Sequence, residues 1–365
     1  MTATGPEHRC LPWPEVWETA LYGPGGFYRR PEGPAGHFRT ASHAAGELLA
    51  AALARLALAA GCTAIVDVGA GRGELLWALA DLRQGRDLRL HGVDVVGRPT
   101  GLPDGIGWSA GIDDLPQETL DGALVVCWEL LDVVPCPILE LDENLVPRTV
   151  LVDPHTGIEH PGPPASAEHR AWARRWWPLP DPQPEDRVEV GLPREELWAR
   201  LAQRVAATGS GGLLLAADYS HERSARPAAG TLAGYRGGRL VPPVPDGSCD
   251  VTAHVALDAV AARTASLAGE RVLTVQFEAL RGLGVRGRAQ GGADTPAGTS
   301  VGVPAAGSPE QALGMLAALR RAGRERELLD PDGLGGFGWL VQGVGRPVPA
   351  EVPGPRLGPC FAQGV

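Results

Sequence analysis

The sequence predicts an α/β fold, a parallel sheet wound with helices, and three observations carry that expectation. From Thr63 onward, short β-rich runs alternate with helical patterns, the signature of parallel strands joined by helical crossovers. An apolar run at Ala64 to Val68 stops at Gly69, Gly71 and Gly73 and then continues as LLWALADL, which reads as strand, turn and helix in one stretch. With 365 residues, 44% of them hydrophobic, the chain can bury a full core without covalent staples.

The expected strands, in order, are Ala64 to Val68, Leu88 to Val93, Ile106 to Trp108, Ala123 to Cys127, Gly212 to Ala217, Arg271 to Val275 and Gly338 to Gln342. Helical patterns lie between them at Glu74 to Leu82, Pro193 to Thr208, Ala253 to Thr264 and Pro309 to Ala322, with Ser308 as an N-cap. The most apolar helical run, about Gly46 to Gly61, carries Glu47 and Arg55 and is too short to span a bilayer, so it reads as a core-packed helix. The fourth and fifth strands are separated by more chain than a crossover needs, so residues 135–193 read as an insertion. In it PILELDEN and VPRTVLVD alternate like a hairpin. Trp172, Trp176 and Trp177 have helical spacing and should pack an insertion helix, the other reading being a peptide-docking surface. A second irregular stretch, 220–249, falls on the strand-end side where open sheets bind ligands. Residues 282–307, rich in Gly, Ala and Ser, read as a mobile surface loop.

A formal charge of -10 and a pI near 5.4 argue against nucleic acid or an anionic membrane as the main partner, because phosphate binding draws on clustered cations. A basic peptide or a small molecule suits the charge better. All 33 cationic side chains are Arg, which looks like codon bias and is given no functional weight. The cysteines, Cys10, Cys62, Cys127, Cys136, Cys249 and Cys360, are scattered without C-x-x-C spacing or a signal peptide. That pattern reads as reduced, cytoplasmic thiols with no zinc site.

The glycines after the first strand let backbone approach a ligand, and the N-H groups of the helix that follows face it. Asp67 precedes them, and Asp94 ends the second strand, where a carboxylate can bind ribose hydroxyls. The dinucleotide fingerprint asks for glycine where this chain has Glu74. A negative side chain repels a pyrophosphate but suits a cationic sulfonium with a free amino group. After the third strand comes SAGIDDLP, in which Ile112 can pack on a purine and Asp113 can accept from its exocyclic amine. Together these fit S-adenosylmethionine better than NAD. Seven strands also suit the Rossmann-like class I methyltransferase arrangement, whose last strand is antiparallel, although this is fold analogy.

The segments YGPGGFYRR, GHFRTAS, VDVGAGRGE, CWELLDVVP, AADYS, GTLAGYRGGRL and CDVTAHV, in that order, resemble the MidA family of class I SAM-dependent methyltransferases. That family includes a mitochondrial protein arginine methyltransferase that acts in respiratory complex I assembly. The resemblance implies a methyltransferase acting on a protein arginine, with a protein substrate and, as an option, a second copy of the chain as partners. It implies an arm and helix at 1–60 covering the cofactor, with Thr40 a contact, and a Rossmann-like domain at 61–365. It places Gly69, Gly71 and Gly73 around the methionine part, Asp94 on the ribose, and Ile112 with Asp113 near adenine. Glu129 and Asp132 look like the acceptor motif, with Asp218, Tyr219, Arg236, Thr252 and His254 as further polar candidates.

If a helical turn begins after the fourth strand, Glu129 and Asp132 share one face and can hold a guanidinium and accept its proton. The bland alternative is a pair of acids favoured at a helix start. For His254 the alternative is a backbone-bonding role. The chain departs from the family pattern at Trp128, where Asn is usual, at His37, where Asp is usual, and at Ser42-His43-Ala44, where Ser-Pro-Glu is usual. Those departures motivate a second reading, a binding or assembly protein that keeps the fold and transfers nothing. An NAD-dependent oxidoreductase is the third.

Overall fold

The computed structural model describes residues 9–30, 41–82, 87–267, 269–286 and 309–357. The chain begins with β1 (Leu11–Pro12), α1 (Trp13–Tyr22) and α2 (Ala41–Ala59), then runs through β2 (Ala64–Val68), α3 (Glu74–Asp81), β3 (Arg89–Val93), β4 (Gly107–Ser109) and β5 (Ala123–Trp128). An insertion follows: β6 (Ile138–Leu141), β7 (Pro147–Val152), β8 (Glu159–Pro164), α4 (Ala167–Trp176) and β9 (Arg187–Glu189). The chain returns through α5 (Leu192–Ala206) to β10 (Gly212–Asp218), then β11 (Ala233–Arg236), β12 (Arg239–Val241), β13 (Asp250–Thr252) and α6 (Leu257–Arg263). It ends in β14 (Arg271–Val275), α7 (Gln276–Gly282), α8 (Pro309–Leu329), β15 (Gly338–Val344) and β16 (Arg356–Leu357).

The main sheet has the order β16-β14-β15-β10-β5-β2-β3-β4. Pairing is parallel from β10 through β4, whereas β15 runs antiparallel to both β10 and β14. All seven expected strands are in this sheet within a residue or two of their expected bounds. The two-residue β16 makes an eighth, too short to carry any periodicity. Central strands β2, β5, β10 and β15 are buried throughout, because helices cover both faces and no position needs to be polar. On one face Ile65, Leu124, Val126, Leu215 and Val341 pack with α2, α3, α7 and α8. On the other, Val66, Val125, Leu214, Ala216 and Leu340 pack with α5 and α6.

The insertion is more than a hairpin. β6 and β7 pair antiparallel as expected, but β9 joins β6, and β8 and β1 both join β7. Trp172, Trp176 and Trp177 are buried with Leu139, Val188 and Ala259. They pack α4 onto the body, so the docking alternative is set aside. A third sheet, β12-β11-β13, is built from the second irregular stretch. Its β11–β12 turn uses Gly237 and Gly238 at φ 56 and 72, as a two-residue hairpin requires. α1 does not pack on the main sheet. Trp13, Val16, Trp17 and Leu21 form a separate core with Ile138, Val150, Val152 and Val251, tying the insertion to the third sheet.

The helix expected from Ala253 starts only at Leu257. Residues 253–256 are held extended: Ala253 N-H donates to Asp132 O, Val255 N-H donates to Tyr219 O, and Ser220 bridges Val255. Longer-range bonds thus outcompete local helix formation. The expected mobile loop falls largely outside the described residues, as does Ser308. Among the described residues no helix is long and apolar enough to cross a membrane.

Candidate functional site

The parallel strands bring the C-terminal ends of β2, β3, β5 and β10 to one edge, where open α/β sheets bind ligands. At the β2 end Gly69, Gly71 and Gly73 have φ 81, 56 and 78, left-handed values that favour glycine. A Cβ at Gly69 would lie 2.9 Å from Leu130 Cδ1, whereas one at Gly71 would meet only Glu74 Oε2 at 3.6 Å. Packing therefore explains the first glycine, and the space beside the second stays open for a ligand. Gly71 N-H donates to Asp94 Oδ2 at 2.7 Å, and Val96 N-H donates to Asp94 Oδ1 at 2.9 Å. Each oxygen keeps a lone pair for a ribose hydroxyl.

Asp67 is buried beneath this turn. Burial, then the charges of Asp94 and Glu74, push its pKa up to about 7. Burial likewise raises Asp94, against its backbone hydrogen bonds. Glu74 opens α3 and accepts from Arg72 N-H at 3.2 Å. This acid-rich cradle has the sign a sulfonium with a free ammonium requires. Ile112 packs on the α5–α6 side of the core, its carbonyl accepting from Arg204, and Asp113 pairs with Arg200 with 78% of its side chain exposed. The loop after β4 is thereby pinned to α5. Thr40 lies outside the described residues, as does His37.

At the β5 end the structure corrects one expectation: no helical turn begins at Glu129. Glu129 takes φ 48, a left-handed value that costs a non-glycine residue about 1 kcal/mol and that clusters at functional sites. The chain then turns into a loop clamped by Asp218. Asp218 Oδ2 accepts from Leu131 N-H at 2.9 Å and Asp132 N-H at 3.1 Å, and Oδ1 accepts from Tyr219 N-H at 2.9 Å. Asp132 is only 4% exposed, and its Oδ1 is buried without a hydrogen-bond partner. Burial pushes its pKa up to about 6, although the Arg194 charge pulls down. Burial and Asp132 raise Asp218 as well. Three N-H donors favour charge on Asp218, but burial and the Asp132 charge outweigh them, so Asp218 keeps its proton to higher pH than Asp132 does.

A third buried carboxyl, Asp250 on β13, is 2% exposed and faces the same charges, raised first by burial and then by Asp132. All four tyrosines of the chain gather here. Tyr22 donates to Val133 O at 3.0 Å and stacks on Tyr28 at 5.6 Å. Tyr28 donates to Asp250, its hydroxyl 3.1 and 3.0 Å from the two carboxyl oxygens. Tyr235 pairs with Asp250 across β11 and β13, and Tyr219 stacks on His254 at 5.6 Å. The Asp132 charge reaches all four hydroxyls.

One fully buried cation, Arg194 of α5, holds the frame. Its guanidinium donates to Val134 O at 3.2 Å, His254 O at 2.8 Å and Asp132 O at 3.1 Å. Among the described residues, the Arg194 charge lowers both Asp132 and Asp218, while the Asp132 and Glu129 charges raise Asp250. His254 sits on the extended segment, its N-H donating to Thr231 Oγ1 at 2.8 Å, and burial followed by the Arg194 charge lowers its pKa. The ring is therefore neutral at pH 7. Arg236 is exposed and reaches Ser248 Oγ at 3.5 Å, outside this group. Asp250, Arg194, Tyr22, Tyr28 and Tyr235 were missed by sequence reasoning. The scarcity of tyrosine was one available signal; Arg194 had none in a chain whose only basic side chain, histidine aside, is Arg.

A glycine cradle and an acid-rich end on one edge of a mixed sheet define a methyltransferase-class α/β protein. Residues 78–276 match the family model described as "Putative S-adenosyl-L-methionine-dependent methyltransferase", and the chain belongs to that family. S-adenosyl-L-methionine is the cofactor that membership carries. No curated protein matches the chain. Among solved structures, a candidate methyl transferase from Burkholderia thailandensis with S-adenosyl-homocysteine bound superposes with TM-score 0.69 at 23% identity, covering 92% of this chain and 88% of that one. A native structure of an uncharacterized protein of the same superfamily and organism gives TM-score 0.67 at 23% identity with the same coverage. At such identity these likenesses speak to the fold.

Proposed function

We propose that the protein is a class I methyltransferase of the MidA type that transfers a methyl group to an arginine of a protein substrate. The sheet order, with β15 antiparallel between β14 and β10, supports class I. The observation that carries the acceptor is the buried Oδ1 of Asp132, which has no hydrogen-bond partner, in a region rich in carboxyls and tyrosines where Arg194 is the buried cation seen among the described residues. Carboxylates and aromatic faces are what a guanidinium seeks. Beside this pocket runs a groove of about 510 Å³ lined by Tyr219, His254, Phe337, Glu327, Asp330 and Asp332, whose charge supports a basic polypeptide.

When bound, the cofactor supplies an electrophilic methyl carbon. Asp94, Asp67 and the glycine turn would hold it, and Glu129 and Asp132 would orient the guanidinium, an effect on the order of several kcal/mol. Asp132 would accept the proton that the guanidinium nitrogen gives up on methylation. Its pKa of about 6 leaves it ionised yet basic near neutrality. Asp218 positions the loop and Arg194 anchors it.

The test is methyl transfer from radiolabelled S-adenosylmethionine to lysate of a deletion strain. The expected label is methylarginine on hydrolysis, absent with Asp132→Asn; label on another residue type sinks the arginine assignment. A second reading, a binding protein that transfers nothing, is favoured by Trp128. Its indole Nε1 is buried without a partner and its ring packs on Trp339 at 5.5 Å, at the strand end where the family has Asn. Cofactor binding with no labelled product from any lysate supports that reading.

A further inference from the structure

We infer that Asp250, held by Tyr28, is a specificity-determining residue: it forms the second carboxyl wall of the acceptor pocket and selects a guanidinium over an ammonium ion. This rests on the methyltransferase reading above. Asp132 and Asp250 come from separate elements, the loop after β5 and strand β13, and both are almost completely buried. Among the described residues no cation pairs with Asp250. Both oxygens face the Tyr28 hydroxyl, at 3.1 and 3.0 Å, and the backbone of Val251 also hydrogen-bonds the carboxyl. A hydroxyl astride both oxygens occupies the place that one edge of a guanidinium would take with two N-H groups.

The frame around that place is aromatic. Tyr28 stacks on Tyr22 at 13° between planes, and Tyr22 is tied to Val133, the neighbour of Asp132. Tyr235 stands opposite Asp250 across the β11–β13 ladder. A planar cation can offer separate edges to two carboxyls on different walls while its face lies on a ring. An ammonium is a compact point charge with three donors and satisfies one wall at a time. With one wall alone, Asp132 and Glu129 would accept either cation, so discrimination falls to Asp250.

The probes are arginine amide and lysine amide, titrated into the full chain saturated with S-adenosylhomocysteine. Arginine amide is expected to bind at least tenfold tighter. Asp250→Asn, nearly isosteric and still able to accept from Tyr28, should cut that preference to threefold or less with S-adenosylhomocysteine affinity unchanged. Tyr28→Phe, which removes the competing hydroxyl, should shift arginine amide affinity at least threefold and leave lysine amide in place. The arginine-to-lysine ratio is a readout that a merely structural role would not move. A ratio unchanged in both variants overturns the inference, and Tyr28→Phe decides alone should Asp250→Asn not fold. If the native chain binds no S-adenosylhomocysteine, the methyltransferase reading itself fails, which is a distinct result.

Discussion

Asp67 lies at the end of β2 with a pKa pushed up to about 7 by burial, Asp94 and Glu74, and Asp132 is pushed up to about 6. The folded protein therefore holds these protons more tightly than the unfolded chain. Stability from both groups is greatest near pH 4 and is lost as pH rises through 6 and 7, each unit being worth about 1.4 kcal/mol. Ligand-free protein should melt at higher temperature at pH 5.5 than at pH 8 in calorimetry. Asp67→Asn should flatten that slope, raise the melting temperature at pH 8 and weaken cofactor binding about tenfold or more. A steeper slope in the variant contradicts the assignment. Gly71→Val fills the open cradle at φ 56, and Asp94→Ala removes the acceptor of Gly71 N-H. Each should abolish heat on titration with S-adenosylhomocysteine, a loss of about 100-fold by charged hydrogen-bond energies. Retained micromolar binding in either variant would move the cofactor elsewhere.

α5 and α1 act as elements on the proposed acceptor pocket without supplying a reacting group. α5 carries Arg194 beneath three carbonyls, and Trp17 of α1 lies 6.0 Å from that guanidinium. Arg194→Met leaves the carbonyls of Asp132, Val134 and His254 without their donor and the acids without their resident charge. A stability loss of about 3–5 kcal/mol is expected in urea denaturation, together with less acidic carboxyls. A loss under about 1 kcal/mol would show that the loop is held by Asp218 alone. Beyond the β6–β7 hairpin, the small sheets around these helices were not legible in the sequence. β1 pairs with β7 some 140 residues away, and α6 begins late because Asp132 and Tyr219 capture the segment before it. Such contacts leave no local period. The Glu129 to Asp132 turn misled for the same reason: acids three apart suggest a helix face, and the clamp from Asp218 dictates another path.

At the scale of the molecule, a net charge of -10 and the groove bearing Glu327, Asp330 and Asp332 should steer a basic substrate. Methylation of lysate protein should slow several-fold between low salt and about 0.5 M salt, because exposed charges are screened beyond roughly 10 Å even at 0.1 M. Binding of S-adenosylhomocysteine in its partly buried cradle should change little over the same range. Equal salt sensitivity of the two would argue against the groove as the encounter surface. The double variant Asp330→Arg with Asp332→Arg tests the same point, with loss expected in KM for the protein substrate.

The sequence by itself determined the parallel sheet, the glycine turn and the acids that flank it, since each depends on periodicity or on residues adjacent in the chain. Apolar runs make strands, and glycines mark where backbone must approach a ligand. Only the tertiary structure decided the buried carboxyl cluster proposed as the acceptor pocket. Asp132, Asp218 and Asp250 come from three segments spread over more than 100 residues, Tyr22 and Tyr28 from the start of the chain, Tyr235 from β11, and Arg194 from a helix between them. Their shared burial, and hence their raised pKa values and their demand for a cation, exists only once the sheet edge has drawn them together.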